Sequence, residues 1–215
     1  MRSIRNGALV GLVAFVVVGL LGATSASATT LCKAKEEVCS AGNRYPSGTV
    51  VKTSGKSSIV TSLGTITCTE SSSKGESNEE SSGSSTVALP ILDFIFTFSG
   101  CKLAKTSCTV IPSLPWLLYW LRLGSFPFFH VYIEKDPFAA GGPSLDVVCG
   151  SLINCKYNLE GTLLEGEGGA PANLTANEKT VLTEEGEKSI CPDTSKWVAK
   201  YEITEPNPLW VSPEP

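Results

Sequence analysis

The chain has 215 residues, with 17 basic and 21 acidic side chains and a formal charge of −4. This mild acidity excludes the positively charged surface expected of a nucleic-acid-binding protein. One histidine leaves little room for a histidine-based zinc site. With 18% charged and 42% hydrophobic residues, the chain is neither a disordered tail nor a coiled coil.

Residues 1–28 predict a cleavable secretory signal peptide. Arg2 and Arg5 form a positive head, residues 7–23 carry no charge, and Ala26-Ser27-Ala28 fits the small-residue rule for cleavage. The alternative is an uncleaved membrane anchor, which normally needs about 20 apolar residues. Cleavage after Ala28 leaves one secreted or cell-surface domain, residues 29–215, with 15 basic and 21 acidic residues and a formal charge of −6. This mature chain contains no second long apolar stretch.

All eight cysteines lie beyond this cleavage site, and an even number in an oxidising compartment predicts a disulfide framework. They are Cys32, Cys39, Cys68, Cys101, Cys108, Cys149, Cys155 and Cys191. Spacing favours three local pairs and one long-range pair, namely Cys32/Cys39, Cys101/Cys108, Cys149/Cys155 and Cys68/Cys191. The sequence alone leaves the connectivity open, since eight cysteines allow 105 pairings. No Cys-x-x-Cys occurs and His130 is the single histidine, so a metal site is not expected. We predict no cofactor.

Along the rest of the chain, apolar residues recur with a period of two. Examples are residues 92–98, 129–133 and 197–203, which are also rich in aromatic and β-branched side chains. This pattern is typical of β-strands, and Gly- and Pro-containing turn sequences separate the runs. We therefore predict an all-β fold, a disulfide-stapled antiparallel β-sandwich or barrel.

Residues 71–85 interrupt this pattern. Eight of the fifteen are serine, three are glutamate and two are glycine, and none is hydrophobic. Such a segment has little apolar surface to offset the entropy lost on ordering. We predict a long mobile hairpin loop between two strands, with a recognition loop as the alternative.

Candidate catalytic residues are few. His130 would need a nucleophile and an orienting carboxylate, and alternation instead favours a strand histidine on the face opposite Phe129 and Val131. Paired carboxylates could hydrolyse a glycosidic bond. The six candidate acids, however, lie in Gly-rich or polar stretches that are typical of solvated loops. They are Glu160, Glu165, Glu167, Glu184, Glu185 and Glu187. We assign no catalytic residue.

Aromatic side chains on a sheet face can stack on sugar rings. The candidates are Trp116, Trp120, Trp197 and Trp210. Alternation places Trp197 in the core, and Trp210, near a Pro-rich terminus, is the candidate for contact with a ligand. Asn173-Leu174-Thr175 matches an N-glycosylation acceptor, which matters only in a host that glycosylates.

Several segments resemble a group of uncharacterised secreted, Cys-rich actinobacterial proteins. They include Leu31-Cys32, residues 39–45, Phe98-Ser99-Gly100-Cys101, Cys108-Thr109-Val110, Leu152-Ile153-Asn154-Cys155 and Pro208-Leu209-Trp210-Val211. The resemblance spans most of the chain beyond residue 28 and is weakest over residues 117–138. It implies a secreted, β-rich protein and supplies no catalytic residue.

The sequence supports two functional hypotheses. The first is a non-enzymatic exported module that binds the cell envelope, through a cell-wall glycan or another extracellular protein. It rests on the signal peptide, the β scaffold and the lack of a catalytic motif. The alternative is a secreted hydrolase that uses surface carboxylates or His130, and it requires two acids to converge in one cleft or a serine and an acid to flank His130.

Overall fold

The computed structural model describes residues 29–78, 88–113, 116–122, 125–135, 141–186 and 189–213. The expected signal peptide lies outside these residues. No helix in the described ranges is long and apolar enough to cross a membrane.

Fourteen strands and one short 3-10 turn, Ala41–Asn43, account for the regular structure of the described residues. The strands are β1 (Thr29–Cys32), β2 (Val50–Thr61), β3 (Gly64–Ser77), β4 (Ala88–Ser99), β5 (Lys102–Leu103), β6 (Thr106–Pro112), β7 (Trp116–Leu121), β8 (Phe128–Lys135), β9 (Ser144–Cys149), β10 (Ile153–Asn158), β11 (Leu163–Glu167), β12 (Ala172–Glu185), β13 (Thr194–Glu205) and β14 (Trp210–Pro213). Every pairing between them is antiparallel, which confirms the predicted fold class.

The hydrogen-bonded strands form two closed rings. One ring runs β3-β2-β13-β12-β11-β8-β7-β4 and returns to β3, and a second runs β3-β2-β13-β12-β10-β9-β6-β5 and returns to β3. The four shared strands are the long ones, of 12 to 14 residues, so each is long enough to serve both rings. Closure leaves few open strand edges, which protects a β-rich protein from edge-to-edge association.

The two ends of the described chain form a separate two-stranded sheet, in which β1 pairs with β14. The Tyr45 hydroxyl donates to the Pro208 carbonyl over 2.6 Å, and the Ser212 hydroxyl donates to the Glu36 carbonyl over 2.6 Å. Arg122 joins this region to the end of β7 by bonds to the backbone and side chain of Glu37.

Alternating side chains from the ring strands form the hydrophobic core. The ring of Phe96 lies 5.0 Å from that of Trp116, 5.5 Å from that of Trp197 and 5.9 Å from that of Tyr201, measured between centroids. These contacts join β4, β7 and β13 across the interior of the first ring of strands. Aromatic pairs at such distances add to the free energy of burial.

The serine-rich segment differs from the prediction of a mobile loop. Residues 71–77 belong to β3 and pair with both β2 and β4, while residues 79–85 lie outside the described part of the chain. Ser71 and Ser73 are buried, and each has a partner: the hydroxyls of Ser71 and Tyr201 lie 2.8 Å apart, and those of Ser73 and Thr53 lie 2.6 Å apart. A serine-rich strand is stable here because the interior supplies polar partners. Burial raises the pKa of Tyr201, so its hydroxyl stays protonated.

We expect Ser71→Ala to lower the free energy of unfolding by about 1–2 kcal/mol, because it removes the buried partner of the Tyr201 hydroxyl. Ser72→Ala is the matched control. Its hydroxyl bonds Thr97 on the exposed side of the same strand, and its loss should cost within about 0.5 kcal/mol. Urea unfolding of both variants measures this, and equal stabilities would contradict a stabilising role for the buried Ser71–Tyr201 hydrogen bond.

Four disulfides use all eight cysteines. Cys32 pairs with Cys39 as expected, but the other three expected pairs are wrong: the bonds are Cys68–Cys101, Cys108–Cys149 and Cys155–Cys191. For Cys108–Cys149 the reason is strand register. Cys108 and Cys149 stand directly opposite each other on β6 and β9, which are far apart in sequence and adjacent in the sheet.

Candidate functional site

A groove of about 230 Å³ crosses the outward face of β8, β11, β12 and β13. Its lining residues are Phe128, Glu165, Gly166, Glu167, Asn173, Thr175 and Lys200. We call it the Phe128 groove. It combines one aromatic ring with carboxylate, amide, hydroxyl and ammonium groups, so it offers a flat apolar surface rimmed by hydrogen-bonding groups.

The phenyl ring of Phe128 is displayed by strand alternation. Phe128 is 48% exposed and its neighbour Phe129 is fully buried, because successive side chains of β8 point to opposite faces. The Phe129 ring stacks on Trp120, with 5.1 Å between centroids, which anchors this part of β8 in the core. A turn bonded from the Phe128 amide to the Ser125 carbonyl precedes the strand. The exposed ring is therefore mounted on a fixed backbone.

Gly166 sets how closely β11 approaches β8. It stands opposite Phe129 in the register, and a β-carbon at this position would lie 2.2 Å from the Phe129 ring. Only glycine leaves room for that ring to cross the strand. The two flanking residues, Glu165 and Glu167, therefore project from the opposite face of β11 into the groove.

The polar lining is ordered by the register of the sheet. Glu167 stands between Phe128 and Asn173, and Glu165 stands between His130 and Thr175. Thr175 in turn faces Lys200 on β13. The carboxylates thus line one wall and the ammonium group the other. Asn173 and Thr175 are also the acceptor and the hydroxyl residue of the N-glycosylation motif, so a glycan attached there would occupy the groove.

His130 lies in β8 on the face opposite Phe129 and Val131, half-buried at the edge of the groove. Its neighbours in the register are Glu165 and Leu121. Its Nδ1 atom is shielded from solvent and has no hydrogen-bond partner among the described residues. An acid therefore flanks this histidine, whereas neither residue that pairs with it is a serine.

The other acidic candidates are dispersed. Glu160 lies in the exposed turn after β10, where its amide donates to the Asn158 side chain. Glu184 forms an ion pair with Lys156 over 3.5 Å, beside a smaller polar cavity of about 120 Å³. Asp146 also lines this cavity, and burial raises the pKa of its carboxyl. The side chain of Glu185 and all of Glu187 lie outside the described part of the structure.

Three of the four tryptophans belong to the core. Trp116, Trp120 and Trp197 are at most 1% exposed, so they are closed to a ligand. Trp210, the expected ligand contact, is half-buried. A β-carbon on Gly168 would lie 2.7 Å from its ring, so Trp210 packs against the segment that follows β11. The exposed aromatic ring of the groove is Phe128, which the sequence reasoning passed over.

Glu36 lies close to the sulfurs of Cys32 and Cys39, with the three possible ligand atoms within 4.8 Å of one another. The two sulfurs are bonded to each other and are not free to bind a metal. The Glu36 carboxylate instead accepts hydrogen bonds from the Ser40 amide and the Asn43 side chain, and these bonds lower its pKa. These hydrogen bonds and the disulfide together hold the loop between Cys32 and Cys39 in place.

No protein-family model, curated protein or solved structure matches this chain. The resemblance to secreted actinobacterial proteins therefore stays a prediction, and the function is argued from the geometry of the chain itself.

Proposed function

We propose that this protein is an exported, non-enzymatic binding module that recognises a glycan of the cell envelope through the Phe128 groove. The observation that carries the proposal is the exposed phenyl ring among polar side chains on a rigid sheet face. A sugar ring has an apolar face that stacks on an aromatic ring and hydroxyl groups that bond with carboxylates and amides.

The disulfide framework supports the exported part of the proposal. Four disulfides among the described residues fit an oxidising compartment, because cytoplasmic thiols are kept reduced. The expected signal peptide at residues 1–28 would deliver the chain there. Retention at the surface or release from it follows from where the bound glycan is attached.

We expect Phe128→Ala to weaken binding to purified cell wall from the producing organism about tenfold, since it removes the stacking surface. Ile111→Ala is the control, because Ile111 is 51% exposed on β6 and lies outside the groove. Co-sedimentation of the oxidised chain measures both variants. Equal retention of Phe128→Ala and the wild-type protein would refute the assignment of the site.

A secreted hydrolase is the second candidate, and one observation favours it: Glu165 and Glu167 converge in the same groove. The α-carbons of alternate strand residues stand about 6.6–6.8 Å apart, so their carboxyl groups can reach the separation of about 6.5–9.5 Å that inverting glycosidases use. Both acids are exposed, whereas the acid catalyst of such an enzyme usually lies in an apolar pocket. Reducing sugar released from cell wall by the wild-type protein, and not by Glu165→Gln or Glu167→Gln, would replace the binding proposal with this one.

A further inference from the structure

Four lysines on the outward face of β2, β13 and β12 stand in two directly opposed pairs. Lys56 faces Lys200, and Lys196 faces Lys179. We call these four residues the lysine track. Like charges placed directly opposite each other destabilise a sheet, so two such pairs on neighbouring strands are an energetic cost that a bound anion would remove.

Carboxylates lie near both ends of the track, because Glu202 is two residues beyond Lys200 on β13 and Glu178 precedes Lys179 on β12. All four side chains are exposed, and none forms an ion pair with a described carboxylate. Lys52 differs, because it pairs with Glu205 on the same face. The four positive charges are thus available on a protein that carries a net negative charge.

An uninterrupted neutral path joins the two pairs. Lys196 and Lys200 are four residues apart on β13, which corresponds to about 13 Å along the strand. The row between them holds Ser58, Val198 and Asn177. No acidic side chain lies in that row, so one extended ligand can contact both pairs.

Each end of the track opens onto a groove. Lys200 forms one wall of the Phe128 groove. Lys179 and Lys196 line a larger groove of about 590 Å³, together with Glu178 and with Val60 and Thr61 at the end of β2. Strands β12 and β13 line part of both grooves and carry three of the four track lysines, and Lys56 lies on the neighbouring strand β2. This continuity fits a linear polymer better than a small molecule.

We propose that the ligand is an acidic glycan, whose repeated carboxylate or phosphodiester groups bind the lysine pairs while a sugar ring stacks on Phe128. This inference rests on the proposed function, and it adds the charge and the path of the ligand. The carboxylates of Glu165 and Glu167 repel the anionic groups, which favours placing those groups on the β13 side of the groove.

The test compares Lys196→Gln/Lys200→Gln with Lys102→Gln/Lys105→Gln, which makes the same change in net charge outside both grooves. Binding of the oxidised chain to polygalacturonate, poly(glycerol phosphate) and a neutral glucan is measured by calorimetry at about 0.05 M and about 0.3 M salt. We expect at least one anionic polymer to bind at least about tenfold more tightly than the glucan. Lys196→Gln/Lys200→Gln, the track variant, should bind that polymer at least about tenfold more weakly than the wild-type protein. Lys102→Gln/Lys105→Gln, the control, should lose less than about twofold in affinity.

The anionic polymer that binds identifies the charged group. Retention on cell wall that depends on Phe128 and is unchanged in Lys196→Gln/Lys200→Gln would overturn this inference and leave the proposed function standing. Equal losses in the track variant and its control would overturn it too, since general charge would then explain the binding. Absence of wild-type retention on cell wall would overturn both proposals.

Discussion

Trp197→Ala should lower the free energy of unfolding by about 4 kcal/mol, the largest loss we expect from a single substitution. Trp197 has no exposed surface, and its ring lies 5.5 Å from that of Phe96 and 6.4 Å from that of Tyr201. It sits on β13, one of the four strands shared by both rings. Truncation would leave a cavity whose walls are closed sheets, which have little freedom to collapse.

Urea unfolding of the oxidised protein measures this loss. Trp210→Ala is the matched control, because the same side chain is only half-buried there, and it should cost about half as much or less. Should Trp197→Ala fail to fold, Trp197→Phe keeps the prediction measurable, with an expected cost of about 1–2 kcal/mol. Equal losses at positions 197 and 210 would contradict the assignment of Trp197 to the centre of the core.

Replacing Cys108 and Cys149 together by alanine should cost about 4 kcal/mol of stability. Their bond spans a sequence separation of 41, and closing a loop of this length removes more entropy from the unfolded chain than closing a short one. The bond also joins β6 to β9 at directly opposed positions. Loss of this bond therefore destabilises the second ring of strands, to which β6 and β9 both belong.

Replacing Cys32 and Cys39 provides the comparison, because their sequence separation is 7 and the expected cost is about 2.5 kcal/mol. Both double variants are compared with the wild-type protein by urea unfolding, and non-reducing peptide mapping reports the bonds that remain. A Cys101–Cys108 or Cys149–Cys155 peptide in the wild-type digest would contradict the connectivity.

The strands could be predicted because their signal is local. Residues 92–98, 129–133 and 197–203 alternate in the sequence, and each lies within an observed strand. Alternation reports that one face is buried, and this property belongs to the segment itself.

The serine-rich strand could not be predicted in this way. Its composition indicates a polar segment, but the hydroxyls of Ser71 and Ser73 are satisfied by Tyr201 and Thr53, which lie on other strands. Only the closed ring brings these partners together. The pairing of Cys108 with Cys149 could not be predicted for the same reason, since these residues meet through the register of β6 with β9.

The candidate site was partly visible in the sequence. Glu165, Glu167 and His130 were candidates, and the sheet places the two acids in one groove with His130 at its edge. Phe128 was not among the predicted ligand contacts, because the aromatic candidates were limited to the four tryptophans. The alternation that buries Phe129 requires its neighbour to face outward, and this was the available signal. The opposed lysines depend on the register between strands, which the sequence alone does not reveal.

The outward face around Phe128 is the proposed binding surface for a glycan of the envelope. The most direct measurement is the change in backbone amide NMR signals of the oxidised mature chain when soluble cell-wall fragments are added. We predict concentration-dependent shifts at residues 128–130, 165–167, 173–175 and 196–200, with the β1–β14 sheet unaffected. Shifts centred on Trp210 or on another face, or no shift at saturating fragment, would contradict this proposal.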